Sequence, residues 1–467
     1  MALSSVYQSL VANFEKKLIT CAVFLDIAKA FDSVNHSILL NKLECYGVRG
    51  LPHKLLESYL TDRYQYTLVN GKQSSLLPIS CGVPQGSVLG PWMFSAFIND
   101  LPRVTNMDTT LFADDACFNL AHNNINTLEQ SVNTELSKIG LWFRNNKLTL
   151  NIDKTHFILI HRRNQQFNIH LELNGSQLLQ KEQTKYLGVT IDAKLNWKPH
   201  VHNCTSKLNK CLWAITKLRP YTSIPTLKLL YYSLAYPFIQ YCISSWGGAC
   251  QTTLQPLLIK QKIIIKTILY QKYTSPSSPL FLKLGLLKLH EIHTFQIAKL
   301  MYNQIRKNNI TCQNLSSIST VHSYSTRSSD KLNYFIPSVN SNLGKTSLKY
   351  CGPIVWNSLP GKLKTSSIFQ FKRLLKNHLL EMYSPPVLWF FSDQLLSILF
   401  FIVLYAFPLH AVQFTVVFKL PIIILLCCQV LGVIYTDLFS FYVGGLLSNW
   451  LPFLVFPFLR VPLRLKQ

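Results

Sequence analysis

The chain predicts an α+β fold: an antiparallel sheet with packed helices, then a helical region, then a hydrophobic helical tail. Three observations carry this. Short apolar runs bounded by polar residues, such as 18–25 and 155–161, alternate with amphipathic segments over the first 192 residues. From Trp197 the periodicity turns helical. From Gln394 the composition changes abruptly to long apolar runs with few charges.

Ser4–Lys17 reads as a short helix leading into an apolar run, Leu18–Leu25, that ends on Asp26. In Ser33–Tyr46, Ile38, Leu39, Leu43 and Tyr46 recur at helical spacing, and Gly47 stops the segment. Pro52 opens a second helix through Leu60. Tyr64–Val69 and Ser74–Ile79 flank Asn70-Gly71, a hairpin signal. Gly82, Gly86 and Gly90 recur at every fourth position, where they permit close backbone approach, and a helix follows through Trp92, Phe94 and Ile98. Ile125–Leu148 is a long amphipathic helix, Thr155–His161 a strand, Asn174-Gly175 a hairpin turn and Lys185–Ile191 another strand. Helices follow at Ile224–Trp246, Leu254–Tyr270, Leu289–Arg306 and Ile368–Met382, with a Ser/Thr/Asn-rich linker at Asn308–Asp330.

The net charge is +25, of which +2 falls in residues 386–467 and the rest in the first 385. Such a basic body fits a polyanionic partner, or simply a soluble basic surface. The twelve cysteines include no C-x-x-C pair, so free thiols in a reducing compartment are expected. Met1–Lys17 lacks the apolar core of a signal peptide.

The chemistry centres on Leu111-Phe112-Ala113-Asp114-Asp115-Ala116-Cys117-Phe118. Two acids side by side in an apolar run repel each other, and burial without a cation penalises both. Neighbouring strand residues face opposite ways, so the chain must turn here if both acids are to serve one site. The pattern predicts a hairpin, Thr109–Ala113 and Ala116–Leu120, with the carboxylates at its tip. A metal site and a plain polar turn both fit that picture. Asp153 sits in a polar loop and reads as solvated, and His36 and His122 lack partners at metal-ligand spacing.

The apolar strand ending on Asp26, the turn Gly82-Val83-Pro84-Gln85-Gly86, and Phe112-Ala113-Asp114-Asp115 occur in that order. Together they resemble the A, B and C motifs of the reverse transcriptase palm. FLDIAKAFDSVNH at 24–36, GVPQGSVLGP at 82–91, LNIDKT at 150–155, KYLGV at 185–189 and GPIVWNSLP at 352–360 sharpen the likeness. It points to non-LTR (LINE-type) retrotransposon polymerases of the jockey and chicken-repeat kind, over roughly the first four-fifths of the chain.

That resemblance implies an RNA-directed DNA polymerase, with RNA template, DNA primer and deoxynucleoside triphosphates as partners. It implies two Mg²⁺ ions, or Mn²⁺ in their place, about 3.5–4 Å apart. Asp26 and Asp114 would bridge them, Asp115 would complete the set, and the Ile27 carbonyl would be a backbone ligand. Asp26 and Asp114 stand 88 positions apart, and the resemblance alone brings them together. Phe31 matches the ring that excludes a 2′-hydroxyl, though it also fits a core position. Gln85 and Gly86 match the turn that meets nucleotide and template. Lys154 matches the proton donor to pyrophosphate, or is a surface lysine. Tyr186, Leu187 and Gly188 match the primer grip, or a plain core strand. Lys29 and Asp32 belong to the first motif without an assigned role.

The same likeness divides the chain into a palm at 1–192, a helical thumb or connection region at 193–307, a linker and basic C-terminal region at 308–385, and the tail at 386–467. Family members carry a long fingers region before the palm, whereas 25 residues precede Asp26 here. The expectation is an N-terminally truncated enzyme with impaired activity. The alternatives are a catalytically dead nucleic-acid-binding remnant and a membrane-associated protein. The apolar runs within 394–459 are near bilayer-spanning length, and translated non-coding sequence would produce similar runs. Family resemblance places the chain in the nucleus or cytoplasm; the tail would place it at a membrane.

Overall fold

The computed structural model describes residues 2–162, 167–307, 315–318 and 332–383. Its centre is β1 (Ile19–Asp26), preceded by helix α1 (Ala2–Glu15). Helices α2 (His36–Cys45), α3 (Leu51–Leu60) and α4 (Leu89–Ile98) follow. Then come β2 (Asp108–Phe112), β3 (Asp115–His122), α5 (Ile125–Asn145) and β4 (His156–Ile160). Two-residue β5 (Leu179–Gln180) completes a sheet of order β5-β4-β1-β3-β2, antiparallel except where β5 runs alongside β4.

β1 is the middle strand, and its side chains alternate between two cores. Ala22 and Phe24 pack into the core that includes α1 and the later helices. Cys21, Val23 and Leu25 pack into the core built with α2, α4 and α5. Burial on both faces explains why the strand reads as one continuous apolar run. Asp26 alone is less than fully buried, and it sits where the strand leaves the core.

Local chemistry sets several element ends. The Asn35 side chain accepts from the Ile38 N–H at 3.1 Å and starts α2. Asn124 does the same for α5 through the Asn126 N–H. The expected hairpins form at Asn70-Gly71 and Asn174-Gly175, where all four residues have positive φ.

Three expectations are corrected. The acidic hairpin is tighter than the motif suggests: Phe112 pairs with Asp115, so Ala113 and Asp114 alone form the turn and Asp115 belongs to the ladder. The single strand expected at Lys185–Ile191 is instead a hairpin, β6 (Gln183–Tyr186) and β7 (Val189–Asp192), because Leu187 and Gly188 both adopt positive φ. The single helix expected over Ile224–Trp246 is broken. Pro237 has no N–H for the preceding turn, a π-turn forms at Tyr231–Ala235, and Cys242 turns left-handed at φ 52°.

Beyond β7, α6 (Lys198–Leu218) and α7 (Gln251–Ile268) pack together. Helices Leu289–Lys307, Leu348–Ser358 and Ile368–Glu381 follow, with Tyr302 stacked on Phe371 at 4.4 Å. Helix α1 is tied to this part through Gln8, whose side-chain oxygen accepts from the Ser347 hydroxyl and the Leu348 N–H. Most of the expected linker at 308–330, and all of the expected tail with its spans at 394–459, lie outside the described residues. Among the described residues, no helix is long and apolar enough to cross a membrane.

Candidate active site

Four segments meet around the end of β1. The first is the acidic hairpin. Ladder register sets Asp26 directly opposite Asp115, and Asp114 precedes Asp115 in the turn. Ala113 takes φ 50°, which lets the chain reverse within two residues. Burial, then the charges of Asp114 and Asp26, push the Asp115 carboxyl above the usual carboxylate range. The three acids are therefore electrostatic neighbours, although Asp26 and Asp114 are far apart in sequence.

The second segment is the loop at 149–155. The Asn151 N–H donates to the Asp26 carbonyl at 2.9 Å, and the Ala28 N–H donates to the Thr149 carbonyl at 2.9 Å. These two bonds straddle Ile27, and neither uses its carbonyl. The Thr155 hydroxyl accepts from the Asp26 N–H at 3.3 Å and donates to the Asn151 carbonyl at 2.8 Å. The loop is thus fastened on both sides of Asp26, and it sets Lys154 Nζ 3.8 Å from the Asp26 carboxylate.

The third segment is the glycine-rich loop at 82–90. The Gly82 N–H donates to the Val34 carbonyl at 2.8 Å, and the Val83 N–H to the Phe31 carbonyl at 2.7 Å. Gly82 has φ 91°, and a Cβ there would lie 2.9 Å from the Asp32 carbonyl oxygen, so only glycine fits. Gln85 donates from Nε2 to Asp32 Oδ1 at 2.7 Å. Gly86 has positive φ but open space around its Cβ position, so it serves the backbone path rather than a close approach. Phe31 is half-buried and stacks on Phe94 at 5.0 Å.

The fourth segment is the β6–β7 hairpin. Tyr186 is buried against Phe24, and among the described residues its hydroxyl has no hydrogen-bond partner. Leu187 and Gly188 form the turn. The Tyr241 hydroxyl donates to the Leu187 carbonyl at 2.7 Å, and its ring lies 3.4 Å from the Cβ position of Gly188. A cavity of about 390 Å³ opens between this hairpin and β1, lined by Asp26, Asp115, Lys154, His156 and Tyr186.

Three residues stand out that the motifs did not single out for a role. Asp32 holds Gln85. His156 Nδ1 lies 2.6 Å from the Lys154 carbonyl, which can only accept, so Nδ1 carries the proton. Its Nε2 then accepts from the Thr184 hydroxyl at 2.5 Å, and burial lowers its pKa, in keeping with a neutral ring. Tyr241 clasps the hairpin turn. No short motif could have flagged these contacts, which join residues 53, 28 and 54 positions apart.

Among the described residues, no group of three or more His, Cys, Asp or Glu side chains forms a cage that could hold a metal by itself. That does not count against Mg²⁺, which usually takes one or two protein carboxylates and fills the remainder with water and substrate phosphates. Hard carboxylate oxygens, mutually repelling and partly open to solvent, are a fitting donor set for such an ion.

Residues 3–191 match the family model described as "Reverse transcriptase (RNA-dependent DNA polymerase)". The matched stretch is thus similar to a reverse transcriptase domain. It runs from α1 through nearly all of β7, and so contains all four segments. The chain is 30% identical over 278 residues to the RNA-directed DNA polymerase from mobile element jockey of Drosophila melanogaster, covering 55% of this chain and 30% of that protein. It is 29% identical over 276 residues to the probable RNA-directed DNA polymerase from transposon BS of the same fly, covering 55% and 29%. It thus spans about a third of the curated relatives it matches. Among solved structures, Candida albicans telomerase with a fragment of telomeric RNA aligns at 14% identity and TM-score 0.33, covering 66% of this chain and 47% of that one. A score that low supports no argument.

Proposed function

We propose that the chain is the polymerase portion of a non-LTR retrotransposon protein, extending a DNA primer on an RNA template with deoxynucleoside triphosphates. The observation that carries this is the Asp26–Asp115 cross-strand pair with Asp114 in the adjoining turn, an acid cluster in which burial, and then the charges of its neighbours, raise the Asp115 carboxyl. Asp26, Asp114 and Asp115 would hold two Mg²⁺ ions, with the Ile27 carbonyl as a backbone ligand. Such ions sharpen the primer 3′-hydroxyl as nucleophile and neutralise charge on the leaving pyrophosphate.

The remaining roles follow from position. Lys154 stands beside Asp26, where it can give a proton to an oxygen leaving the site. His156, neutral and bonded to both Lys154 and Thr184, sets the loop against the β6–β7 hairpin. Phe31 presents a half-buried ring whose packing on Phe94 fixes its plane, as a sugar-sensing wall requires. Asp32 orients Gln85, which with Gly86 would meet nucleotide and template. Tyr186, Leu187 and Gly188 would seat the primer end. RNA template and DNA primer are polyanions, and the charge distribution favours them: residues 193–290 hold thirteen Lys and Arg and no Asp or Glu.

Primer extension on a primed RNA template, with the full chain and Mg²⁺, tests the reading. Wild type should extend, and Asp114→Asn should not, while both bind the template–primer equally. Undiminished extension by Asp114→Asn would overturn the metal assignment. Binding without extension by wild type would leave a nucleic-acid-binding protein and overturn the enzymatic reading.

A further inference from the structure

We infer that the far end of the α6–α7 pair is a stacking platform for single-stranded nucleic acid, separate from the acid cluster. The two helices end side by side. The Arg219 guanidinium lies 3.8 Å from the centre of the Tyr270 ring, and the Tyr270 hydroxyl donates to the Arg219 carbonyl. Lys266 Nζ donates to the Tyr273 carbonyl at 2.5 Å and folds the following loop back onto α7. Around this clasp the chain leaves large rings in solvent: Tyr221 is 86% exposed, Tyr273 69% and Trp213 66%. Trp213 and Lys217 are one turn apart on the outer face of α6.

Exposed aromatic rings alone fit many partners. The charge decides between them. No acid occurs between Asp192 and Glu291, and among the described residues none of the thirteen cations in that stretch is within ion-pairing distance of a carboxylate. Both helices direct their C-terminal dipoles at this end, about half a negative charge each, which opposes an anion. Lys217, Arg219, Lys266 and Lys272 bring four full positive charges to the same place and outweigh it. An apolar protein partner would leave those charges uncompensated. A duplex would satisfy them but would offer the rings no base faces. A single strand does both, with phosphates on the lysines and bases on the rings. The platform lies a full helix from β7, about 30 Å for a 21-residue helix. It can therefore hold an unpaired stretch while the acid cluster works elsewhere. This deepens the proposed function by naming the form of its polymer, and rests on it only for that class of partner.

The test is fluorescence anisotropy with the full chain, without metal or nucleotide, so that its outcome is independent of extension. The probes are a single-stranded oligo(U) RNA and an RNA–DNA duplex of equal length. The double variant Tyr221→Ala/Tyr273→Ala should weaken oligo(U) binding by about tenfold or more and duplex binding by less than about twofold. Tyr221→Trp/Tyr273→Trp should retain oligo(U) binding, because the stacking faces remain. Lys217→Ala should lower the salt slope for oligo(U) by about 0.7. Equal loss on both probes, or full oligo(U) binding by the double Ala variant, would overturn the inference.

Discussion

The first 192 residues and the next 98 handle charge in opposite ways. The first stretch is nearly balanced, with seventeen Lys and Arg against sixteen Asp and Glu. Several of its acids have structural partners. Glu135 is buried, and although burial opposes it, Lys138, the Asn106 N–H and the Thr105 hydroxyl hold its carboxyl below the usual range. Asp192 accepts the N–H groups of Asn196 and Trp197 ahead of α6, and Asp100 pairs with Lys42 at 2.8 Å. Asp26, Asp114 and Asp115 instead face one another across and beside the hairpin, and among the described residues the one cation within ion-pairing distance of them is Lys154, 3.8 Å from Asp26. The next 98 residues carry thirteen cations and no acid at all. One region concentrates unsatisfied negative charge at a point, and the other spreads unsatisfied positive charge along helices. A point suits small cations. A spread surface suits a long polyanion.

Substitutions can break that division, and the largest effect should come from the acids. Asp26→Asn or Asp114→Asn should lower the extension rate by about a thousandfold, since several kcal/mol of charge stabilisation is lost. Filter binding of template–primer should be unchanged; a parallel loss of binding would mean that the acids also shape the nucleic-acid surface. Lys154→Ala should cost about a hundredfold in single-turnover rate, in the range of one general acid. An unchanged rate would make it a surface lysine. Phe31→Ala should admit ribonucleotides in a competition assay with little change for deoxynucleotides. The lost stacking on Phe94 should cost on the order of 1 kcal/mol in urea denaturation.

The two regions meet at Tyr241, so Tyr241→Phe tests how firmly they are joined. Losing one hydrogen bond to the Leu187 carbonyl should lower stability by about 1 kcal/mol. The smallest effect should be a gain. Asp115 titrates high because burial and two like charges disfavour its ionised form. A carboxyl with a raised folded-state pKa is a burden above that pKa, and the burden disappears as pH falls and the group protonates. Asp115→Asn should therefore raise the metal-free melting temperature modestly at neutral pH. The gain should shrink as the pH is lowered through the carboxylate range. Calorimetry at several pH values checks this, and a loss at neutral pH would contradict the repulsion.

Much of the site was legible before any fold. Asp26, the glycine-rich turn and Asp114-Asp115 are each short, locally encoded signals: an apolar strand ending on an acid, glycines recurring at every fourth position, and acids interrupting an apolar run. The alternation of strand and helix over the first 192 residues was legible for the same reason, since period 2 and period 3.6 show within a few residues. The hairpin at Leu187-Gly188 was missed because leucine seldom adopts positive φ; tertiary contact with Tyr241 accompanies it there. The break at Cys242 was missed because it depends on packing around Trp246, whose indole N–H donates to the Tyr241 carbonyl at 2.8 Å.

What the sequence by itself determined is chemistry and local form: which residues can carry negative charge into an apolar strand, where the chain turns, and where acids are absent. Tertiary structure alone decided which of these meet. It set Asp26 opposite Asp115, brought Lys154 to Asp26, hung Gln85 on Asp32, and laid Arg219 over Tyr270. The physical reason is range. Propensity and periodicity act over a few residues, whereas these contacts span 51 to 128 positions and form only when a shared core closes the loops between them.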